Sequence, residues 1–369
     1  MKLMKTTEAV GQVLCHDITQ IIPGVKKDAV FRKGHIITKE DIPVLLSVGK
    51  DTIYIWENDD TMMHENEAAQ VLYRMCVYGT NSNETDTKRH CEAAESGDSD
   101  SSVSKMHPSS VKEGKIEVIA DCDGLLKVDN EKLKKVNSFG EMMIATRHGN
   151  TTVKKGDKLA GTRIIPLVIK KDKLEAASHI CDDGPILDIK PFVIRKAAII
   201  TTGNEVYHGR IQDAFTPVIE KKIAEFGAQM MFHEVFDDDD KKITDGCLRA
   251  IEAGAEIVFC TGGMSVDPDD KTPLAIKNTG ARIVSYGSPV LPGAMFLLSY
   301  YDAGDRLVPI CGLPGCAMYN KRTIFDIVLP RLMARDMILA DELAGLGEGG
   351  LCLNCDVCTF PNCGFGRGF

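Results

Sequence analysis

The sequence lacks an excess of positive charge: 44 Lys and Arg against 53 Asp and Glu give a formal net charge of -9. A general nucleic-acid binder draws its affinity from clustered cations, so that class is set aside. The chain also has no apolar run long enough to cross a bilayer. MKLMKTTEAV carries no apolar core of the secretory kind, so the expectation is a cytoplasmic protein whose partners include neither membrane nor nucleic acid. A disulfide framework is missing too: of the thirteen cysteines, an odd number, nine are scattered singly and read as reduced thiols. Between Gly79 and Gly114 bulky apolar residues almost vanish, and Ser, Asp, Asn, Glu and Thr dominate. That stretch reads as a flexible surface excursion, and His64, His90 and His107 read as solvated.

What is present is ordinary globular composition, 44% hydrophobic and 26% charged over 369 residues, enough for two or three domains. Residues 1–56 read as a β-rich module with one helix at VLLSVG and a strand at TIYIW. Its basic loop, Lys26, Lys27, Arg32 and Lys33, reads as solvated, with contact to an anionic ligand as the other meaning. Residues 57–114 read as a helix to Tyr78, with Ala68, Ala69, Val71, Leu72 and Met75 on one face, then the excursion. Residues 115–191 form a mixed, β-rich segment. Residues 192–340 alternate buried strands with amphipathic helices, which predicts an α/β fold, a doubly wound, mostly parallel sheet with helices on both faces. Residues 341–369 are a Cys-rich tail that follows a glycine-rich stretch, Gly345 to Gly350, read as flexible.

In such a sheet ligands sit beyond the carboxyl ends of the strands. The candidates are therefore Thr202-Gly203-Asn204-Glu205, the acidic turn Asp237 to Asp240, Thr261-Gly262-Gly263 with Ser265, Asp267, Asp269 and Asp270, and Gly312-Leu313-Pro314-Gly315. Gly262 and Gly263 allow a sharp turn and close approach to their N–H groups. GLPG is expected to open directly into a long helix through Leu332, whose first N–H groups and dipole would receive a phosphate; a tight turn alone is the plain alternative. Asp267, Asp269 and Asp270 on one short loop repel each other and persist most readily around a cation, most simply Mg²⁺. Capping of the helix at Lys271-Thr272-Pro273 would need one aspartate. The acidic turn reads equally well as a solvated cap of the helix after it.

TTGNE, the acidic turn, TGGMSVDPDDKTP, PVLPGAM and GLPG, in that order between Phe192 and about Leu339, resemble the molybdopterin-binding fold shared by the molybdopterin adenylyltransferases and the molybdenum insertases of molybdenum cofactor synthesis. GQVLCHDI and FRKGHII resemble the domain that accompanies it in the insertases, whose Ser-Met-Asp-Gly-Tyr-Ala motif is not found here. The resemblance implies that Thr261, Gly262 and Gly263, with Gly312, Leu313, Pro314 and Gly315, hold the pterin phosphate or the adenylate. It implies Thr202, Gly203 and Glu205 beside them, Ser265 as a hydroxyl donor, Asp238 and Asp270 as Mg²⁺ ligands, and Asp267 and Asp269 in catalysis. The implied activity is a molybdopterin molybdenumtransferase that takes adenylylated molybdopterin and molybdate and releases AMP, an anhydride reaction governed by charge neutralisation and positioning. A homodimer is the implied state. An adenylyltransferase consuming ATP is the second reading. A non-catalytic carrier or sensor of the pterin is the third, favoured by the missing motif.

In the tail Cys352, Cys355, Cys358 and Cys363 stand at C-x2-C-x2-C-x4-C. Four thiols at that spacing can surround one ion, with Zn²⁺ and an iron–sulfur cluster both open.

Overall fold

The computed structural model describes residues 2–22, 26–55, 59–79, 105–265 and 270–368. The chain divides into two compact units, one made of Met1–Asp121, Val128–Arg147 and Lys155–Asp188, the other of Cys122–Lys127, His148–Lys154 and Ile189–Phe369. The tail thus shares a unit with the α/β domain. Among the described residues no helix is long and apolar enough to cross a membrane.

In the first unit Lys2–Lys5 pairs antiparallel with Thr52–Ile55, whose alternation buries Ile53 and Ile55 and exposes Thr52 and Tyr54. Their inner face packs with Leu14, Ile18, Ile37 and Leu45. Ile18–Ile22 and Lys26–Phe31 form a hairpin. The helix expected over 57–78 is shorter, Glu65–Val77. Met62–His64 before it is extended and pairs with Val168–Lys170, and His64 caps the helix by accepting the Asn66 N–H at 3.2 Å. His64, expected to be solvated, is therefore buried, with its Nε2 2.9 Å from the Cys15 carbonyl. His107 is exposed beside Asp121, and His90 lies outside the described residues. Ala68, Ala69, Leu72 and Met75 are buried as their period requires. The helix packs against a sheet ordered Met106–Pro108, Ile116–Ala120, Lys158–Ile164, Met142–Thr146. Met106–Pro108 falls in the stretch read as an excursion, of which residues 80–104 lie outside the described residues.

The second unit is built on β1 (Lys196–Thr202), β2 (Gln229–Phe236), β3 (Ile257–Thr261), β4 (Arg282–Tyr286), β5 (Leu297–Asp302) and β6 (Leu307–Leu313), in the spatial order β2-β1-β3-β6-β5-β4. β2, β1, β3 and β6 run parallel; β5 alone runs against them, antiparallel to both β6 and β4, so β4 has the direction of β6. The sheet is mixed and mostly parallel, as expected. IVFCT of β3 is buried on both faces. Ile257 and Phe259 join a core with Ile199, Phe296 and Phe325, while Val258 and Cys260 join another with Ile200, Ile243 and Ile310. Helices α1 (Thr216–Ala224), α2 (Asp240–Glu252), α3 (Thr272–Asn278), α4 (Ile324–Met333) and α5 (Ala340–Gly345) accompany the sheet. The chain leaves β1 for β2 and returns through α2 to β3 on the other side of β1. Connections diverge there, so the carboxyl ends of β1 and β3 flank the crevice of the fold.

Two local expectations do not hold. GLPG does not open a long helix: Gly312 and Leu313 end β6, Gly315–Met318 makes one 3₁₀ turn, and α4 begins only at Ile324. Thr323 and Asp326 fix that start by a capping box, so no helix dipole points out of GLPG. Nor is Gly345 to Gly350 loose. Leu291 N–H donates to the Gly350 carbonyl at 2.8 Å, and Cys352 N–H returns to the Leu291 carbonyl at 2.8 Å. A Cβ on Gly350 would lie 2.4 Å from the Pro289 carbonyl oxygen, which is why glycine stands there.

Candidate functional site

The end of β3 is held against β1 by threonines and glycines. Thr202 donates to the Thr261 carbonyl at 3.1 Å, Thr272 donates to the Gly262 carbonyl at 2.9 Å, and the two hydroxyl oxygens are 3.0 Å apart. All three threonines are buried, so the loop after β3 is stitched to β1 and to the first turn of α3. Gly262 has φ +82°, and a Cβ there would lie 2.1 Å from the Thr202 carbonyl oxygen. No other residue fits that position. Gly263, at φ +53°, would bring a Cβ to 2.8 Å from the Thr272 hydroxyl.

This loop forms one wall of a cavity of about 690 Å³, a volume proper to a small-molecule site. Gly262, Gly263, Met264, Ser265 and Asp270 line that wall. Leu291 to Met295 form a second, Pro314, Gly315 and Cys316 with Tyr319 and Asn320 a third, and Leu351, Cys352 and Asn354 of the tail a fourth. The Leu291–Pro292 peptide is cis, and Gly293 lies so close to α4 that a Cβ would meet Ile324 at 2.3 Å. Phe215 completes the lining. Asp213 sets its place, accepting the N–H groups of Phe215 at 2.8 Å and Thr216 at 3.2 Å on one oxygen and the Thr201 hydroxyl at 3.0 Å on the other. Burial pushes the Asp213 carboxyl up, but the bonds from Thr216, Phe215 and Thr201 outweigh it and hold the group below its usual range. On the loop side the Tyr286 phenol reaches the Ser265 carbonyl at 3.5 Å. Burial first, and then the Asp270 carboxylate, push its ionisation up.

Of the site residues expected from the sequence, Gly262, Gly263, Ser265, Asp270, Pro314 and Gly315 meet at this cavity. Thr202 and Thr261 stand behind it as scaffold. Gly312 and Leu313 are buried strand residues rather than turn residues, and Met264 packs over Gly312 where a Cβ would be 2.5 Å from its sulfur. Gly203 and Glu205 do not line the cavity; Glu205 is exposed beyond β1. Asp267 and Asp269 lie outside the described residues. Asp238 is directed elsewhere, accepting the Asn204 N–H at 3.1 Å, so it tethers the turn after β1 instead of facing the cavity. Its neighbours behave alike: Asp237 pairs with Lys242 at 2.7 Å, and Asp239 caps α2 through the N–H groups of Lys241 and Lys242. The residues that went unassigned are Phe215, Met264, Leu291 to Met295, Cys316, Tyr319, Asn320 and the tail contribution. Pro292-Gly293 within PVLPGAM was their visible sign.

Asp270 is the described carboxylate on the wall. Mg²⁺ is commonly held by one or two carboxylates together with substrate phosphates, so one aspartate fits an ion held mainly by a ligand's own oxygens. The four tail cysteines are not brought together: no three His, Cys, Asp or Glu among the described residues are grouped as a metal would need. Cys352 is held on the cavity wall, Cys363 and Phe360 pack on the core, and Cys355 and Cys358 are exposed. The Phe360 N–H and then Arg322 hold the Cys358 thiol below its usual range.

Residues 198–334 match the family model described as "Probable molybdopterin binding domain", and residues 3–57 match a model described as a domain of unknown function, DUF8806. The first of these matches lies wholly within the second unit. A competence-damage inducible protein of Bacillus velezensis is 29% identical over 90 residues, 24% of this chain and 21% of that protein. Its counterpart in Geobacillus sp. is 33% identical over 88 residues, 24% of this chain and 20% of that one. The chain therefore spans about a fifth of the length of these curated relatives. Among solved structures, the tungsten cofactor synthesizing protein MoaB from Pyrococcus furiosus is similar at 18% identity and a TM-score of 0.30, over 40% of this chain and 91% of that one. The molybdopterin biosynthesis enzyme MoaB from a Thermus species is similar at 19% identity and a TM-score of 0.30, over 38% and 92%.

Proposed function

We propose that the cavity beyond β3 binds adenylylated molybdopterin with Mg²⁺, and that the protein releases AMP as molybdate is taken up. The observation that carries this reading is the meeting of Gly262, Gly263, Ser265 and Asp270 with Pro314 and Gly315 in one cavity of ligand size. The N–H groups of the glycine loop and the Ser265 hydroxyl would receive phosphate oxygens. Asp270 would hold Mg²⁺, which neutralises charge along the anhydride. Thr202 and Thr272 hold the Gly262–Gly263 turn in place, and a turn held in this way would help to position an anhydride for attack. The substrates are thus the adenylylated pterin and molybdate, the products AMP and a molybdenum-loaded pterin. An adenylyltransferase reaction, which would consume ATP instead, is a variant that product analysis separates, and a homodimer, part of the same proposal, is tested by the mass in solution.

One observation favours a second reading, a carrier or sensor that binds the pterin without turnover. Asp238, the second expected Mg²⁺ ligand, is turned to the Asn204 N–H. The deciding experiment incubates purified protein with adenylylated molybdopterin and Mg²⁺, with and without molybdate, and follows AMP. Molybdate-dependent AMP release supports insertion; release without molybdate counts against it; tight binding without any AMP supports the carrier.

A further inference from the structure

The first unit holds its own cavity, of about 750 Å³, against the stretch matched to the domain of unknown function. GQVLCHDI contributes His16 and Asp17, FRKG contributes Arg32 and Lys33, and Lys50 follows the short helix. The opposite side is the start of the helix Glu65–Val77, with His64 and Glu65, and the segment carrying Lys112. We infer that this cavity is a second ligand site, for a phosphorylated small molecule between a sugar phosphate and a nucleotide in size.

Three features point there. The first is cationic: Arg32, Lys50 and Lys112 come to the lining from three separate segments, and none of them enters an ion pair among the described residues. Three carboxylates of the lining accept from neutral donors and form no ion pair with these cations among the described residues. Asp17 accepts the Lys33 N–H at 2.7 Å, Asp28 the Ala29 N–H at 2.8 Å, and Glu113 the Thr19 hydroxyl at 3.1 Å. Three cations from three directions suit the several oxygens of a phosphate better than the two of a carboxylate. The second is the amino end of a thirteen-residue helix, whose dipole adds positive potential on the same side.

The third is at the inner end. His16 Nδ1 is buried with no hydrogen-bond partner among the described residues, and an orphaned buried polar atom marks a place for a missing partner. Burial, with Lys50 close by, pulls the His16 pKa down and favours the neutral ring. Glu65 is half-buried; burial pushes its carboxyl up, and it has no side-chain hydrogen bond among the described residues. The two polar groups at this end therefore suit the hydroxyls or N–H groups of a ligand body, while its phosphate meets the cations. A bare phosphate could not reach both. No residue lines both this cavity and the one beyond β3, so the second site does not depend on the proposed function.

The test is isothermal titration of the full chain with ribose 5-phosphate, UMP and inorganic phosphate, on wild type, Arg32→Glu, Lys50→Glu, His16→Ala and Asp270→Asn. Arg32 and Lys50 are not buried, so their variants are expected to fold, which circular dichroism verifies. The expected result is binding of an organic phosphate, weakened about tenfold or more by each charge reversal, weakened by His16→Ala and unchanged by Asp270→Asn. Inorganic phosphate is expected to bind more weakly. Three results overturn the inference: no binding of either organic phosphate, binding that Asp270→Asn removes while Lys50→Glu keeps it, or inorganic phosphate binding as tightly as the organic ones. Should His16→Ala fail to fold, the two charge reversals decide.

Discussion

The second unit has two acidic segments that look alike in sequence, Asp237 to Asp240 after β2 and Asp267 to Asp270 after β3, yet their described residues serve different ends. In the first, each carboxylate serves a donor close by. Asp237 pairs with Lys242, Asp238 holds the Asn204 N–H, Asp239 caps α2 and Asp240 accepts from the Asn278 side chain at 3.1 Å. In the second, Asp270 faces a cavity of ligand size and does not cap α3, which begins without a side-chain cap. The difference comes from what stands before each segment. Phe236 leads straight into α2, so its aspartates fall where a helix start needs acceptors. Two glycines at positive φ follow β3, so the chain turns after the strand, and Asp270 stands on the cavity wall with them. Acidic residues become candidates for ligand binding where the backbone first makes room.

Variants can break that contrast, beginning with the glycine. Gly262→Ala places a Cβ against the Thr202 carbonyl at positive φ and should cost about 3 kcal/mol of stability in urea denaturation, with pterin binding lost as the loop moves. If stability is unchanged, the close approach at β1 and β3 is not real. Thr272→Val removes the hydroxyl that ties Gly262 to α3 and should cost about 2 kcal/mol, because it leaves buried groups short of a partner. Asp239→Ala deletes a cap and should cost about 1 kcal/mol while leaving pterin affinity as it was; a large loss of affinity would show that the first acidic segment serves the ligand after all. The smallest effect is expected for Asp238→Asn. Its side-chain oxygen can still accept the Asn204 N–H, so both stability and the Mg²⁺ dependence of binding should stay at wild-type values. A loss of Mg²⁺ dependence there would restore Asp238 to the metal site.

Much of this is legible in the residues. The strand, glycine turn and helix start within Ala255 to Pro273 fall where the apolar run IVFCT and the Gly-Gly pair put them, because buried parallel strands and positive-φ glycines leave strong local marks. What stays hidden is decided at a distance. GLPG carries the marks of a helix start, but β6 extends through Leu313 by pairing with β3, and the capping box at Thr323 starts α4 later. The tail has the cysteine spacing of a metal loop. Its place as a cavity wall rests on the backbone pairing of Leu351 with Leu291, about sixty residues away in sequence, which no local pattern announces. The helix Asn130–Ser138 is equally hard to read, since NEKLKKVNS offers almost no apolar face; Asp129 caps it and Val136 alone is buried.

The most direct test is calorimetric titration of adenylylated molybdopterin into wild type and Asp270→Asn, each with and without Mg²⁺. Wild type is expected to bind more tightly with Mg²⁺, and Asp270→Asn to lose about tenfold or more of that affinity together with its Mg²⁺ dependence, at unchanged stability. Equal, Mg²⁺-independent binding by both proteins, or no binding by either, would contradict the assignment of the cavity beyond β3 as the pterin site.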